Sequence, residues 1–298
     1  MEYQQLGKSD LKISRIGFGC MSLKISEPGN EAIIHRAIEL GINYFDTADL
    51  YDHGANEELL GNTLKQKRNE IFLATKAGNQ WRADGSGWDW NPRKEYILQC
   101  AEQSLKRLQT DYIDLYQLHG GTMDDPIDES IEAFEQLVKE GKIRYYGISS
   151  IRPDVIKYWS QHSNIVSVMT QYSLLDRRPE EETLNLLQQK NIGVVVRGSV
   201  AQGLLVNKPP KSYLNYSEEE INKAAKAVKF LSGDKRTAAQ TAIQFVLSHP
   251  AVTSAIVGMR TMDQLQEAVN ALTAPSLSIN DLDYLKNTIP VNNYKDHR

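Results

Sequence analysis

The 298-residue sequence predicts an α/β fold: a single (β/α)8 TIM barrel over residues 1–298, with an N-terminal β-hairpin and long loops at its C-terminal face. Three observations support this prediction. About eight short apolar runs alternate with helical stretches, no linker rich in proline, serine or glycine divides the chain, and several runs, such as IFLAT and GVVV, are apolar almost throughout. Continuous apolar runs are typical of parallel strands covered on both faces.

The predicted elements follow in chain order. A hairpin comes first, because a turn at Gly7–Asp10 separates two short strand-like segments. Helices between the later strands are indicated by a 3.6-residue period, which places Ile97, Ala101 and Leu105 on one stripe. The predicted barrel strands are Arg15–Cys20, Tyr44–Thr47, Ile71–Thr75, Tyr112–Leu118, Ile143–Ile148, Val166–Gln171, Gly193–Val196 and Ser254–Val257.

An open, doubly wound sheet is the main alternative to a closed barrel. A dinucleotide-binding sheet of that kind is expected to carry the pattern G-x-G-x-x-G after its first strand. Gly17 and Gly19 match the first two glycines, but Ser22 stands where the third glycine would be. The sequence therefore favours the barrel.

Charge and cysteine content exclude several classes of protein. Lysine and arginine number 34 and aspartate and glutamate 38, a net charge of −4 that provides no basic surface for nucleic acid. Two cysteines, Cys20 and Cys100, are too few for a disulfide scaffold, and histidine and cysteine show no metal-ligand spacing. No signal peptide is recognisable, and no apolar run approaches the roughly 18 residues of a membrane helix. We expect a cytoplasmic protein without nucleic-acid, membrane or metal partners.

Two segments are longer and more irregular than simple connections. Gly78–Pro92 contains Trp81, Trp88 and Trp90, and Gln202–Ser217 is rich in proline, asparagine and tyrosine. Both follow strands, so we expect both at the C-terminal end of the barrel, where such loops build active sites. The tryptophans either close a substrate pocket or pack against each other on the surface, and the sequence leaves this open.

Four side chains that can hold or move a proton are expected together at this end of the barrel. Asp46, Lys76 and His119 end three successive predicted strands, and Tyr51 lies in the loop after Asp46. The group suits proton donation to a carbonyl, because a nearby ammonium lowers the pKa of a tyrosine and a buried carboxylate holds the ammonium in place. The remaining histidines are interpreted as structural or exposed: His35, His53, His162, His249 and His297.

The motifs GFGCM, NYFDTADLYDHGANEELLG, LATKAG, RLQTDYIDLYQLH, EGKIRYYGISS and AIVGMRTMDQLQEA occur in this order. With them the sequence resembles the aldo-keto reductase family from about Tyr3 to about Leu272. The resemblance implies that Asp46, Tyr51 and Lys76 form a catalytic tetrad with His119. Tyr51 would be the general acid for carbonyl reduction by a nicotinamide cofactor.

The resemblance also implies which residues bind NADP(H). Ser149, Ser150 and Gln171 match positions that hold the nicotinamide carboxamide, and Arg197 stands where many members stack an aromatic ring on the nicotinamide. Arg260 suits a 2′-phosphate, since a guanidinium group can pair with it bidentately. The full implied set of cofactor contacts is Gly19, Cys20, Met21, Asp46, Ser149, Ser150, Gln171, Arg197, Gly198, Ser199, Val200, Gln202, Gly203, Leu204, Gly258, Arg260, Gln264 and Glu267.

The sequence departs from the family pattern at a few positions. Ser150 replaces a common asparagine, and Ala268 stands where most relatives carry an asparagine that binds adenine, so the strictness of NADP over NAD preference stays open. Gly120-Gly121 follows His119 where relatives often have a bulky residue, which implies a roomy pocket. The expected substrate-pocket residues are Tyr51, Trp81, Trp88 and His119.

Three functions remain as hypotheses from the sequence. The first is NADPH-dependent reduction of small aldehydes or ketones to alcohols by a monomer or weak oligomer. The second is an NADP(H)-binding sensor or regulatory subunit with little turnover. The third is a barrel of unrelated chemistry in which Lys76 forms a Schiff base with its substrate, and the cofactor motifs argue against it.

Overall fold

The computed structural model describes residues 1–296, so the interpretation of His297 lies outside the described residues. The predicted hairpin and all eight predicted barrel strands are confirmed, and one further hairpin is present. In chain order the strands are β1 (Tyr3–Gln5), β2 (Lys12–Ser14), β3 (Ile16–Gly19), β4 (Tyr44–Asp46), β5 (Phe72–Ala77), β6 (Asn79–Trp81), β7 (Trp88–Trp90), β8 (Ile113–Leu118), β9 (Ile143–Ser149), β10 (Ser167–Gln171), β11 (Gly193–Arg197) and β12 (Val252–Val257).

Eight of these strands, β3, β4, β5 and β8 to β12, form a closed parallel barrel. Each pairs with the next in the chain, and the ring closes where Ala255 of β12 lies opposite Ile16 of β3. Because all eight strands run in the same direction, their carboxyl ends meet at one rim. The prediction of a (β/α)8 barrel is therefore confirmed. Active sites of such barrels lie at the rim formed by the carboxyl ends of the strands.

Helices cover the outside of the barrel, and several have recognisable start signals. Ser217 and Glu220 form a capping box at the start of one helix, Thr237 and Gln240 form another, and Pro153 occupies the first turn of a third. In chain order the α-helices are α1 (Asn30–Glu39), α2 (Ala55–Leu64), α3 (Lys94–Leu108), α4 (Ile127–Lys139), α5 (Pro153–His162), α6 (Thr183–Gln189), α7 (Glu218–Ser232), α8 (Ala238–Leu247), α9 (Met262–Asn270) and α10 (Ile279–Lys286).

The hairpin β1–β2 closes the N-terminal end of the barrel. Leu6, Leu11 and Ile13 are fully buried and join the apolar cluster inside the barrel, which includes Leu115 and Val195. A separate, larger cluster fills the layer between strands and helices. The N-terminal end of the barrel is therefore filled by apolar side chains.

The segment Gly78–Pro92, expected as an irregular loop, contains the antiparallel hairpin β6–β7. Its strands are only three residues long, and the turn between them contains Asp84-Gly85, a pair typical of hairpin turns. Three residues are too few to show the alternation by which a strand is recognised in a sequence. The second long segment, Gln202–Ser217, lacks a hairpin of this kind and has a single bridge between Tyr213 and Tyr216.

Candidate active site

The four residues expected to act together do lie together at the C-terminal rim. Asp46 is the last residue of β4, and Lys76 lies near the end of β5. His119 directly follows β8, where its backbone N–H donates to Ala77 O at 2.8 Å. Tyr51 begins a short 3-10 turn after β4. Neighbouring strands of the barrel therefore deliver these side chains to one place.

Lys76 and Asp46 form a buried ion pair. The Lys76 Nζ atom lies 2.6 Å from Asp46 Oδ1 and donates a second hydrogen bond to Thr47 O at 2.7 Å. Lys76 is fully buried and Asp46 nearly so. Burial lowers the pKa of Lys76, but Asp46 and Tyr51 outweigh burial and raise it above the ordinary value. Lys76 is therefore a fixed positive charge at neutral pH.

Tyr51 packs against both Lys76 and His119. The Lys76 Nζ atom is 5.4 Å from the centre of the Tyr51 ring, and the rings of Tyr51 and His119 meet edge to face at 5.9 Å. Burial raises the pKa of Tyr51, and Lys76 only partly opposes this increase. The sequence-based expectation of a lowered Tyr51 pKa is thus wrong in its net direction, because desolvation exceeds the effect of the ammonium. Tyr51 holds its proton at neutral pH.

His119 is a neutral group in this site. Burial, followed by the charges of Lys76 and Arg197, lowers the pKa of His119 to about 3. Its Nδ1 atom is buried without a hydrogen-bond partner in the described part of the chain. His119 can therefore offer a hydrogen bond to a ligand, whereas a positively charged His119 that supplies a proton is disfavoured.

These residues line a cavity of about 400 Å³, which we call the small cavity. Tyr51, Lys76 and His119 form one side, and the sequence-predicted residues Ser149 and Arg197 contribute another. Sequence reasoning missed four lining residues. Leu50 precedes Tyr51, Ile151 and Arg152 follow the end of β9, and Met169 lies within β10. The full lining is Met21, Leu50, Tyr51, Lys76, His119, Gly120, Ser149, Ser150, Ile151, Arg152, Met169 and Arg197.

Gln171 and Arg197 end adjacent strands at the edge of the small cavity and bind each other. Arg197 Nη1 donates to Gln171 Oε1 at 2.7 Å. The amide nitrogen of Gln171 donates to Asp176 Oδ2 at 2.8 Å and to Tyr213 Oη at 3.0 Å. Both ends of the Gln171 amide are thus fixed by protein groups, and the Arg197 side chain is exposed beside it.

A second, larger concavity of about 1120 Å³ adjoins the small cavity at Met21, which lines both. We call it the large groove. One wall is the segment 21–26 after β3, and the opposite wall is formed by residues around β12 and α9. Ala268 lines the large groove. So do eight of the residues expected to bind the cofactor: Met21, Val200, Gln202, Gly203, Gly258, Arg260, Gln264 and Glu267.

Seven other predicted cofactor residues are not part of the walls of either concavity: Gly19, Cys20, Asp46, Gln171, Gly198, Ser199 and Leu204. Cys20, Ser199 and Leu204 are buried, and Cys20 and Leu204 belong to the apolar core. Their side chains serve the fold, and their contacts with a cofactor remain predictions. Sequence reasoning also missed Lys24 and Lys208, two cationic side chains of the large groove.

Trp81 and Trp88, expected in the substrate pocket, lie in the hairpin β6–β7 outside the small cavity. Trp81 stacks on His53 with ring centres 3.7 Å apart and meets Trp88 edge to face at 5.5 Å. The tryptophans thus pack against each other, one of the two interpretations left open by the sequence. Their contact with a substrate stays a prediction.

A second group of buried charges supports the loop that carries Tyr51. Glu57 is fully buried and pairs with Arg107 at 2.7 Å. Asp49 is buried nearby, with its backbone N–H 3.2 Å from Lys76 O and its Oδ1 atom lacking a partner among residues 1–296. Burial and then the charge of Glu57 raise the pKa of Asp49 to about 7.

Some features expected to be absent can be checked only within residues 1–296. In that part of the chain, no cluster of three or more His, Cys, Asp or Glu side chains could hold a metal ion. None of its helices combines the length and apolar character needed to cross a bilayer. Cys20 and Cys100 are both buried free thiols.

A (β/α)8 barrel with a buried Lys–Asp pair, a tyrosine and a histidine at its C-terminal rim, beside a long groove, defines a class of barrel oxidoreductases. The model of the Aldo/keto reductase family matches residues 15–289. The chain therefore belongs to the aldo-keto reductase family and is an oxidoreductase of that family.

Three relatives illustrate the match. An uncharacterized oxidoreductase of Bacillus subtilis strain 168, YqkF, is 50% identical over 307 residues and covers 100% of both chains. The solved structure of an aldo-keto reductase from Bacillus halodurans in its holo form has a TM-score of 0.94 and 49% identity, covering 100% of this chain and 99% of its own. Aldo-keto reductase yakc [NADP(+)] of Schizosaccharomyces pombe is 31% identical over 87% of this chain and 84% of its own.

Proposed function

We propose that this chain reduces aldehydes or ketones to alcohols with NADPH, and that Tyr51 donates the proton. The observation that carries the proposal is the grouping of un-ionised Tyr51, the Lys76 ammonium and neutral His119 around one cavity. A tyrosine that keeps its proton at neutral pH is available as a donor. The ammonium beside its ring stabilises the phenolate that forms when the proton leaves.

The large groove fits NADP(H) in size and charge. Three cationic side chains, Lys24, Lys208 and Arg260, line it, against the two carboxylates of Asp52 and Glu267. A dinucleotide that carries a pyrophosphate and a 2′-phosphate matches such a surface, because arginine pairs bidentately with phosphate. The likeness to a relative whose name includes NADP(+) also supports NADP(H) as the cofactor.

At the small cavity, the four residues Asp46, Tyr51, Lys76 and His119 each have a defined task in the proposed reaction. When bound, a reduced nicotinamide supplies a hydride to the carbonyl carbon. Tyr51 transfers its phenolic proton to the carbonyl oxygen, which gives the alcohol, and Lys76 stabilises the remaining phenolate. Asp46 holds the ammonium in position through their 2.6 Å contact. His119, neutral at physiological pH, offers the carbonyl oxygen a hydrogen bond.

The substitution Tyr51→Phe tests this assignment. It removes the proton donor and keeps the ring, so we expect turnover to fall by about 10²–10⁴-fold while the affinity for NADPH is unchanged. Turnover is followed by NADPH oxidation with 4-nitrobenzaldehyde, and affinity by fluorescence titration. The matched control is Tyr284→Phe, which removes a hydroxyl from an exposed tyrosine on α10 and should leave both values unchanged.

Two results would count against the proposal. Turnover in Tyr51→Phe equal to that of the wild type would exclude Tyr51 as the proton donor. Tight NADPH binding by the wild type, without turnover of several reactive aldehydes, would favour the sensor or regulatory function instead.

A further inference from the structure

Arg152 is a cationic side chain of the small cavity that the proposed reaction does not use. It follows β9 and stands immediately before Pro153, the first residue of α5. Its Nη1 atom donates to Gly121 O at 2.8 Å, and its buried Nε atom lacks a partner in the described part of the chain. An arginine has five N–H donors. Apart from its contact with Gly121 O, the guanidinium group of Arg152 therefore has no hydrogen-bond partner within the described part of the chain.

The surroundings of Arg152 hold its guanidinium group at the cavity. Gly120 and Gly121 have φ angles of 147° and 121°, which few other residues adopt, and a Cβ at Gly120 would lie 3.2 Å from the Trp90 ring. Trp90 Nε1 donates to Asp125 Oδ1 at 2.9 Å, and Asp125 Oδ2 accepts from the backbone N–H that follows Gly121 at 2.6 Å. The carbonyl that anchors Arg152 is thus held from both sides.

Arg152 has no carboxylate partner among residues 1–296. Among residues 1–296, none of the ion pairs includes it, and Lys76, Arg152 and Arg197 line the small cavity without an acidic side chain between them. Asp46, behind the wall, is already paired with Lys76. The same positive potential acts on His119, whose pKa is lowered to about 3 by burial and by Lys76 and Arg197. The small cavity therefore attracts an anion.

The cofactor does not supply that anion. The negative charges of NADP(H) are on its phosphates, which match the cations of the large groove, and Arg152 does not line that groove. The carboxamide of the nicotinamide is neutral, and its ring is neutral or positive. An anionic group opposite Arg152 must then belong to the substrate.

We propose that Arg152 binds a carboxylate of the substrate, so that the chain reduces small carbonyl compounds that also carry an acidic group. This inference rests on the proposed reductase function and assigns its substrate class. A carboxylate accepts two parallel hydrogen bonds from a guanidinium group, a contact that fixes orientation as well as position. A cavity of about 400 Å³ restricts the substrate to a small molecule.

The test compares 4-carboxybenzaldehyde with its neutral methyl ester, methyl 4-formylbenzoate, in the wild type, Arg152→Met and Arg152→Lys. We expect Arg152→Met to raise KM for the acid by about 10- to 100-fold, with kcat and the values for the ester nearly unchanged. Arg152→Lys should restore part of the affinity for the acid, because the charge remains while the bidentate geometry is lost. The control Lys157→Met removes an exposed charge from α5 and should leave KM and kcat unchanged for both substrates.

A binding measurement separates this inference from the proposed function. Benzoate is titrated into the wild type and each variant by calorimetry in the presence of NADP⁺. We expect Arg152→Met to lose most of the affinity, Arg152→Lys to keep part of it, and Lys157→Met to bind as the wild type does. If neither aldehyde is reduced, the reductase function fails, and the calorimetry still reports on Arg152. If Arg152→Met affects acid and ester equally, or binds benzoate as the wild type does, Arg152 only holds the Gly121 loop and the inference is overturned.

Discussion

The small cavity and the large groove are built in opposite ways, although they share Met21. The charges of the small cavity stand on strand ends, and its central pair, Lys76 and Asp46, is buried and bound at 2.6 Å. The cations of the large groove stand outside the α-helices: Arg260 lies just before α9 and is exposed, and Lys24 forms a surface pair with Glu27. The central pair of one region is buried and hydrogen-bonded before any ligand arrives, and the cations of the other remain open to solvent.

The difference indicates that the two regions have different functions. Buried, hydrogen-bonded charges act strongly at short range and require no reorganisation, which suits the stabilisation of a reacting group. Exposed cations contribute less individually, since water and salt screen them, and suit the reversible binding of a phosphorylated ligand. Substitutions in the buried Lys76–Asp46 pair should therefore affect the fold and the chemistry, whereas substitutions of exposed cations in the large groove should affect affinity alone.

The largest expected effect follows from Lys76→Met. It leaves Asp46 buried without its partner, which typically costs about 3–5 kcal/mol of the free energy of unfolding. Adding Asp46→Asn removes the orphaned charge, so we expect the double variant to be more stable than Lys76→Met alone. The measurement is urea unfolding, with Lys223→Met on the exposed face of α7 as the control. Equal losses for Lys76→Met and the control would contradict the comparison.

A somewhat smaller effect is expected from Asp49 and depends on pH. Its pKa is raised from 3.8 to about 7, so its stabilising contribution is full below about pH 4 and lost as the pH rises to about 7. At ~1.4 kcal/mol per pKa unit, this amounts to about 4 kcal/mol at neutral pH. The free energy of unfolding of Asp49→Asn, measured relative to the wild type, should therefore increase by this amount between acidic and neutral pH.

Urea unfolding at several pH values checks this prediction for Asp49. The control is Asp283→Asn, an exposed carboxylate on α10, which should follow the wild type at every pH. A difference between Asp49→Asn and the wild type that does not vary with pH would show that Asp49 titrates normally.

The smallest effect is expected in the large groove. If Arg260 binds a 2′-phosphate, Arg260→Met should weaken NADPH binding by about 10- to 100-fold and leave NADH binding unchanged, because NADH lacks that phosphate. Thermal stability should equal that of the wild type. Fluorescence titration with both cofactors measures the affinities, and Arg93→Met, at an exposed arginine, is the control. Equal weakening for NADPH and NADH would assign Arg260 to another part of the ligand.

The sequence predicted best what depends on strand ends. Apolar runs located the eight barrel strands, and the rule that parallel strands meet at one rim then brought Asp46, Lys76 and His119 together. It failed for the hairpin β6–β7, because three-residue strands offer too little alternation to be recognised. The sequence analysis also missed Arg152. Pro153 is a signal for the start of α5, which places Arg152 in the short loop after β9, at the C-terminal rim. The net pKa of Tyr51 depends on desolvation, which appears only when side chains are packed.

The large groove crosses the seam at which the barrel closes. Its two walls follow β3 and β12, the first and last barrel strands, which meet where Ile16 lies opposite Ala255. A ligand that spans the groove therefore contacts both the first and the last strand of the barrel. These strands are far apart in the chain, and bringing them together costs chain entropy. At 100 times its dissociation constant, such a ligand adds about 2.7 kcal/mol to the free energy of unfolding. In the cell, the supply of this ligand would set the lifetime of the folded chain against proteolysis as well as its rate of catalysis.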